Sequence, residues 1–129
     1  MWHLPGPANM MAAGAALAAV LRAGDVVALH GALGAGKSTL ARGAVRALGW
    51  AGEVPSPTFT LVQPYEPPDV ALAIWHVDLY RLDAAAEADA LGPFETDAAL
   101  LIEWPQRLGT RLPADALHLM IDGSGAAPR

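Results

Sequence analysis

The chain has 129 residues, 53% hydrophobic and 16% charged, with a formal net charge of −5 and no cysteine. That balance excludes a disordered polymer and an extended basic face for gripping nucleic acid. Without cysteine there is no disulfide, no thiolate metal site and no thiol nucleophile. The length suffices for one domain with a buried core, and residues 1–129 read as one such domain.

In chain order, Met10–Leu21 is apolar. No Lys or Arg precedes it and it is too short to span a bilayer, so it reads as a core helix with Asn9 as N-cap, not as a signal peptide. No membrane association is expected. Asp25–His30 reads as a buried strand, and Ser38–Leu48 as a helix with Leu40, Ala44, Val45 and Leu48 on one stripe. Gly49 is a natural stop for it.

Between that strand and that helix stands Gly31-Ala32-Leu33-Gly34-Ala35-Gly36-Lys37-Ser38, followed by Thr39. This fits the P-loop pattern in the strand–loop–helix context the pattern requires. Glycines let successive N–H groups point into one concavity, and a helix N-terminus makes that concavity an anion site. Gly34, Ala35, Gly36, Lys37, Ser38 and Thr39 are therefore the candidate nucleotide-binding set. Lys37 has the reach for the β- and γ-phosphates, and the Ser38 hydroxyl is a candidate Mg²⁺ ligand. ATP or ADP with Mg²⁺ is the expected ligand.

Gly52, Pro55 and Pro57 mark a loop, Thr58–Gln63 reads as a strand, Pro64–Asp69 as turns, and Val70–Asp78 as a longer strand. The short connection predicts that these two strands pair antiparallel. Asp83–Leu91 reads as a helix, Ala99–Glu103 as a short buried strand, Pro105 as the first turn of a short helix, Ala116–Ile121 as a last strand and Gly123–Arg129 as a tail. The sum is an α/β fold: a P-loop NTPase-like three-layer sandwich with a mixed, mainly parallel sheet and an antiparallel hairpin.

A P-loop enzyme also needs an acid at a strand end, to hold Mg²⁺ or to orient the attacking water. Asp78 and Glu103 each follow an apolar run that delivers one carboxylate to a sheet edge. With Lys37 they are the candidate catalytic residues, and either acid is a candidate to join Ser38 at the metal. The plain alternative for each acid is a carboxylate that ends a strand or pairs with an arginine. For Trp104 the plain alternative is core packing.

Four segments together resemble one family: Gly31–Thr39; Ser56-Pro57-Thr58-Phe59-Thr60-Leu61-Val62; His76-Val77-Asp78-Leu79-Tyr80-Arg81-Leu82; and Ile102-Glu103-Trp104-Pro105. In order and spacing they are similar to the bacterial TsaE (YjeE) family, over about Leu4 to Ile121. The resemblance implies a small ATPase of the machinery that makes N6-threonylcarbamoyladenosine at position 37 of tRNA. It implies a TsaB–TsaD complex as partner, reset between turnovers by the ATP cycle, with tRNA contacted mainly through those partners in the cytoplasm. By position it makes Ser38 the Mg²⁺-binding hydroxyl, Glu103 the acidic Mg²⁺ ligand and Asp78 an acid suited to positioning water. Thr58 and Thr60 fall in a segment resembling a switch loop, and Trp104 matches the aromatic beside the acidic ligand. The chain departs from the family in a shorter loop between Gly92 and Ala99 and in Ser38 where Thr is usual. It also lacks a Gly-Arg pair near Gly125 and acidic residues within Leu4–Ala8.

Three other readings remain at this level. A small-molecule kinase uses the same loop but needs an acceptor pocket and usually an Arg-rich lid; no Arg-rich lid segment stands out among the 8 Lys and Arg residues. A nucleotide-dependent interaction module binds without turnover. A structural domain with an empty P-loop binds nothing.

Overall fold

The computed structural model of the chain describes residues 7–31, 36–54, 62–80 and 96–121. Within them lie α1 (Pro7–Ala18), β1 (Val26–His30), α2 (Lys37–Ala47), β2 (Val62–Tyr65), β3 (Ile74–Asp78), β4 (Ala99–Glu103), a 3-10 helix (Pro105–Arg111) and β5 (Leu117–Met120). The strands form one five-stranded sheet in the order β2-β3-β4-β1-β5. β1 runs parallel to β4 and β5, β3 runs parallel to β4, and β2 alone is antiparallel, pairing with β3. The sheet is thus mixed and mainly parallel with one antiparallel hairpin.

The central strand β4 is buried along its whole length, which explains its uninterrupted Ala-Leu-Leu-Ile run. One face of the sheet (Val27, Leu29, Ile74, Ala99, Leu101) packs under α1 and α2. The opposite face (Val77, Leu100, Ile102) packs with Leu79 and with Leu108 of the 3-10 helix. In α2, Leu40, Ala44 and Val45 are buried, as the helical stripe requires. The two helices approach so closely that a Cβ on Gly43 would stand 2.2 Å from the Met11 carbonyl oxygen, and one on Gly14 would stand 2.0 Å from that of Leu40.

Several boundaries differ from the sequence-based expectation. Asn9 lies inside α1 rather than capping it, because Pro7 opens the helix; proline has no N–H to satisfy there and its φ is preset for a first turn. The helix ends at Ala18, where the Leu17 carbonyl accepts from both the Val20 and the Leu21 N–H in a tightened closing turn. The strand expected from Val70 begins only at Ile74, since the Ala71 N–H donates to the Leu48 carbonyl at 2.8 Å and ties that segment to the end of α2. Pro64 and Tyr65 belong to a strand rather than a turn. β2 is an edge strand, where a missing N–H costs no ladder bond. The Thr58–Leu61 part of one expected strand, the Asp83–Leu91 helix and the tail from Gly123 lie outside the described residues.

Candidate functional site

Parallel strands β1, β4 and β3 end side by side, and the chain leaves β1 into the glycine-rich loop. The crevice beyond the carboxyl ends of such strands is where open α/β sheets gather their ligands. The β3–β4 register pairs Asp78 with Glu103, and the β1–β4 register pairs Leu29 with Glu103. Both acids therefore stand at the same sheet edge as the end of β1. Both are buried.

Helix α2 begins at this edge. Gly36 precedes it with φ +107°, and a Cβ there would also press within 3.3 Å of the Met10 side chain. Lys37, the first helical residue, is buried at 4% exposure. Its ammonium donates to the Gly31 carbonyl at 2.7 Å and lies 3.9 Å from the centre of the Trp104 ring. Burial pulls the lysine below its ordinary pKa range, while the carboxylates of Glu103 and Asp78 act in the opposite direction.

The next residue makes the link that defines the site. The Ser38 hydroxyl donates to Glu103 Oε2 at 3.0 Å. The pair offers a hydroxyl oxygen and a carboxylate, hard donors of the kind Mg²⁺ prefers. Among the described residues no group of three or more His, Asp or Glu side chains forms a metal cage. Mg²⁺ does not require one, since it commonly keeps several waters and takes one or two protein ligands plus substrate phosphates. The residues present fit the ion. Asp78 accepts the Tyr80 N–H on Oδ1 at 3.0 Å, a bond that fixes the turn leaving β3. Trp104 sits at φ +59°, a conformation a bulky residue seldom adopts. Its ring tilts against Tyr80 with centroids 4.9 Å apart, so it lies beside the lysine rather than in either core cluster's interior.

The structure thus brings Lys37, Ser38, Asp78 and Glu103 to one sheet edge and places Gly36 and Thr39 at the start of α2. Gly34 and Ala35, like Thr58, Thr60 and Arg81, lie outside the described residues. Sequence reading gave His76 no role. Its Nε2 lies 2.5 Å from Glu103 Oε2 in a buried pair. Strand alternation was the available signal, because it sets His76 on the same face as Asp78, two residues on. At the end of β1, His30 Nε2 meets His118 Nδ1 of β5 at 2.8 Å. Burial, then the His118 ring, then Lys37 lower the His30 pKa from 6.5.

A family model described as "Threonylcarbamoyl adenosine biosynthesis protein TsaE" matches residues 4–129. The chain belongs to the TsaE family. TsaE proteins are P-loop, ATPase-like, nucleotide-binding proteins of threonylcarbamoyladenosine biosynthesis. The chain is 34% identical to the tRNA threonylcarbamoyladenosine biosynthesis protein TsaE of Bacillus subtilis over 96% of its own length and 78% of that protein's. It is 42% identical to the Haemophilus influenzae TsaE over 75% of its length and 62% of that protein's. In fold it is similar to the crystal structure of Bacillus subtilis YdiB, with a TM-score of 0.75 and 31% identity, covering 92% of this chain and 73% of that one.

Proposed function

We propose that this chain is an ATP hydrolase serving the synthesis of N6-threonylcarbamoyladenosine in tRNA, with a TsaB–TsaD complex as its partner in the cytoplasm. The observation that carries the reading is the hydrogen bond from Ser38 to Glu103, because it joins the P-loop helix to the acid at the end of β4. Among the described residues no helix is long and apolar enough to cross a membrane. One sheet with covered faces supports treating residues 1–129 as a single domain.

The roles follow from the chemistry of each group. The N–H groups at the start of α2 and the Lys37 ammonium bind the phosphates of ATP, with Lys37 giving up its bond to the Gly31 carbonyl to reach the β- and γ-oxygens. Ser38 and Glu103 would hold Mg²⁺, which supplies charge neutralisation at the β- and γ-phosphate oxygens when bound. Glu103 keeps the Ser38 hydroxyl proton turned toward itself, which leaves the oxygen lone pairs for the ligand side. Asp78, beside Glu103, orients water for attack. Trp104 covers the lysine on one side and limits water around it. Turnover alone is slow, since transition-state charge is compensated fully only when a partner completes the site.

The test is to combine the protein with a TsaB–TsaD pair and tRNA, and to follow phosphate release and tRNA modification over many cycles. Phosphate release that rises with the partners, and repeated modification that needs ATP and fails with Lys37→Ala, is the expected result. Repeated modification with no phosphate released would overturn the reading, and phosphate transferred to an acceptor would mark a kinase instead.

A further inference from the structure

We propose that His76 is a positioning residue of this site. Its Nε2–H holds the Glu103 carboxylate in the orientation in which that group meets the Ser38 hydroxyl and a divalent cation. The proposal rests on the reading of Ser38 and Glu103 as the Mg²⁺ pair. A glutamate side chain has three rotatable bonds, and one strand-end backbone position does not fix where its carboxylate lies. Here a single oxygen, Oε2, takes both His76 Nε2 at 2.5 Å and Ser38 Oγ at 3.0 Å. Among the described residues Oε1 takes part in neither bond. The two donors come from different elements, β3 and α2, so they hold the carboxylate from two directions. Groups that orient a metal-binding carboxylate in this way commonly set the affinity of the site.

The histidine itself is poorly explained as packing. It is 1% exposed, between Ile74 and Asp78 on β3 and beside Leu101 on β4. Its Nδ1 has no hydrogen-bond partner among the described residues. A phenylalanine or leucine would fill the space without burying an unpaired polar atom, which costs free energy. The one bond the ring makes is to the acid. Because Nε2 faces a carboxylate oxygen, that nitrogen carries the proton; the tautomer is assigned from this contact.

The experiment compares wild type, His76→Phe and His76→Gln. Nucleotide affinity is measured in the presence of a chelator, and Mn²⁺ affinity is measured with a non-hydrolysable ATP analogue bound. Phenylalanine should weaken the cation by about tenfold or more while nucleotide affinity under chelation stays unchanged. Glutamine, whose amide N–H takes the place of Nε2–H, should recover most of the loss. Nitrogen-15 spectra of wild-type histidines should show His76 protonated at Nε2, with a signal that shifts in Glu103→Gln. Equal cation affinity in all three proteins, equal losses in both variants, or a His76 ring protonated only at Nδ1 would each overturn the proposal. A wild type whose nucleotide complex ignores Mn²⁺ would overturn the metal reading itself, and this proposal with it. The spectra need no variant of His76, so the proposal stays testable if His76→Phe does not fold.

Discussion

Ser38 and Glu103 are 65 residues apart in sequence, yet the Ser38 hydroxyl donates to the Glu103 carboxylate at 3.0 Å. This bond crosses from the first turn of α2 to the last residue of β4. It follows from the parallel alignment of β1 and β4, which brings the end of one strand beside the end of the other. Replacing Glu103 by alanine should therefore spare nucleotide binding under chelation but reduce Mg²⁺-dependent hydrolysis by about a hundredfold or more. It should also lower stability by about 1–3 kcal/mol, because Ser38 and the buried His76 lose their acceptor. Glutamine keeps an acceptor oxygen and should cost less stability while still losing hydrolysis. Phosphate release, nucleotide titration and denaturant unfolding read the three effects separately.

The position of α2 over the sheet depends on its contact with α1. A methyl group on Gly43 would meet backbone, the Met11 carbonyl oxygen at 2.2 Å, which has no rotamer to escape by. Gly43→Ala should therefore destabilise the protein by about 1–3 kcal/mol or more, despite alanine's better helix propensity. Alanine at exposed Gly24, where a Cβ meets nothing within 4 Å, should show only the cost of its backbone conformation. Unfolding curves for the pair separate close packing from backbone strain.

The sequence made the chemistry of the site more legible than its support. The glycines and Lys37-Ser38 have few other uses between a strand and a helix, and the apolar runs ending in Asp78 and Glu103 announce strands that deliver one acid each. His76 stayed silent because a histidine inside an apolar run has the same pattern whether it packs or braces an acid. Its contact with Glu103 depends on register between strands that are not adjacent in sequence. Boundaries were lost where backbone bonds outweigh local composition. The apolar Val70–Ala73 run looks like strand, but its Ala71 N–H is committed to Leu48. Pro64 looks like a turn, but an edge strand tolerates it.

Acid sensitivity should trace in part to His30. Burial first, then His118 and Lys37, hold its pKa below the ordinary 6.5. Between that lowered value and 6.5 the unfolded chain binds the proton more readily than the folded one. This contribution leaves stability unaffected well above 6.5 and erodes it as pH falls through the window down to the lowered value. His30 is part-exposed, so the loss is modest. His118→Gln removes one of the two charges that oppose protonation, and should make the decline shallower in urea unfolding measured across this range.

At alkaline pH the corresponding group is Tyr65. It is 1% exposed, stands edge-on to Trp50 with centroids 5.0 Å apart, and its hydroxyl has no hydrogen-bond partner among the described residues. Burial raises its pKa above 10.0, and Arg46 acts in the opposite direction. The unfolded chain therefore gives up this proton first, and stability falls as pH rises from 10.0 toward the raised value. Tyr65→Phe removes both the titration and a buried unpaired hydroxyl while keeping the ring against Trp50. It should leave stability at neutral pH unchanged or higher by about 1 kcal/mol, and should flatten the alkaline decline. A loss of more than about 2 kcal/mol at neutral pH would mean that the hydroxyl is bonded in the folded protein, since only a satisfied group costs that much to remove.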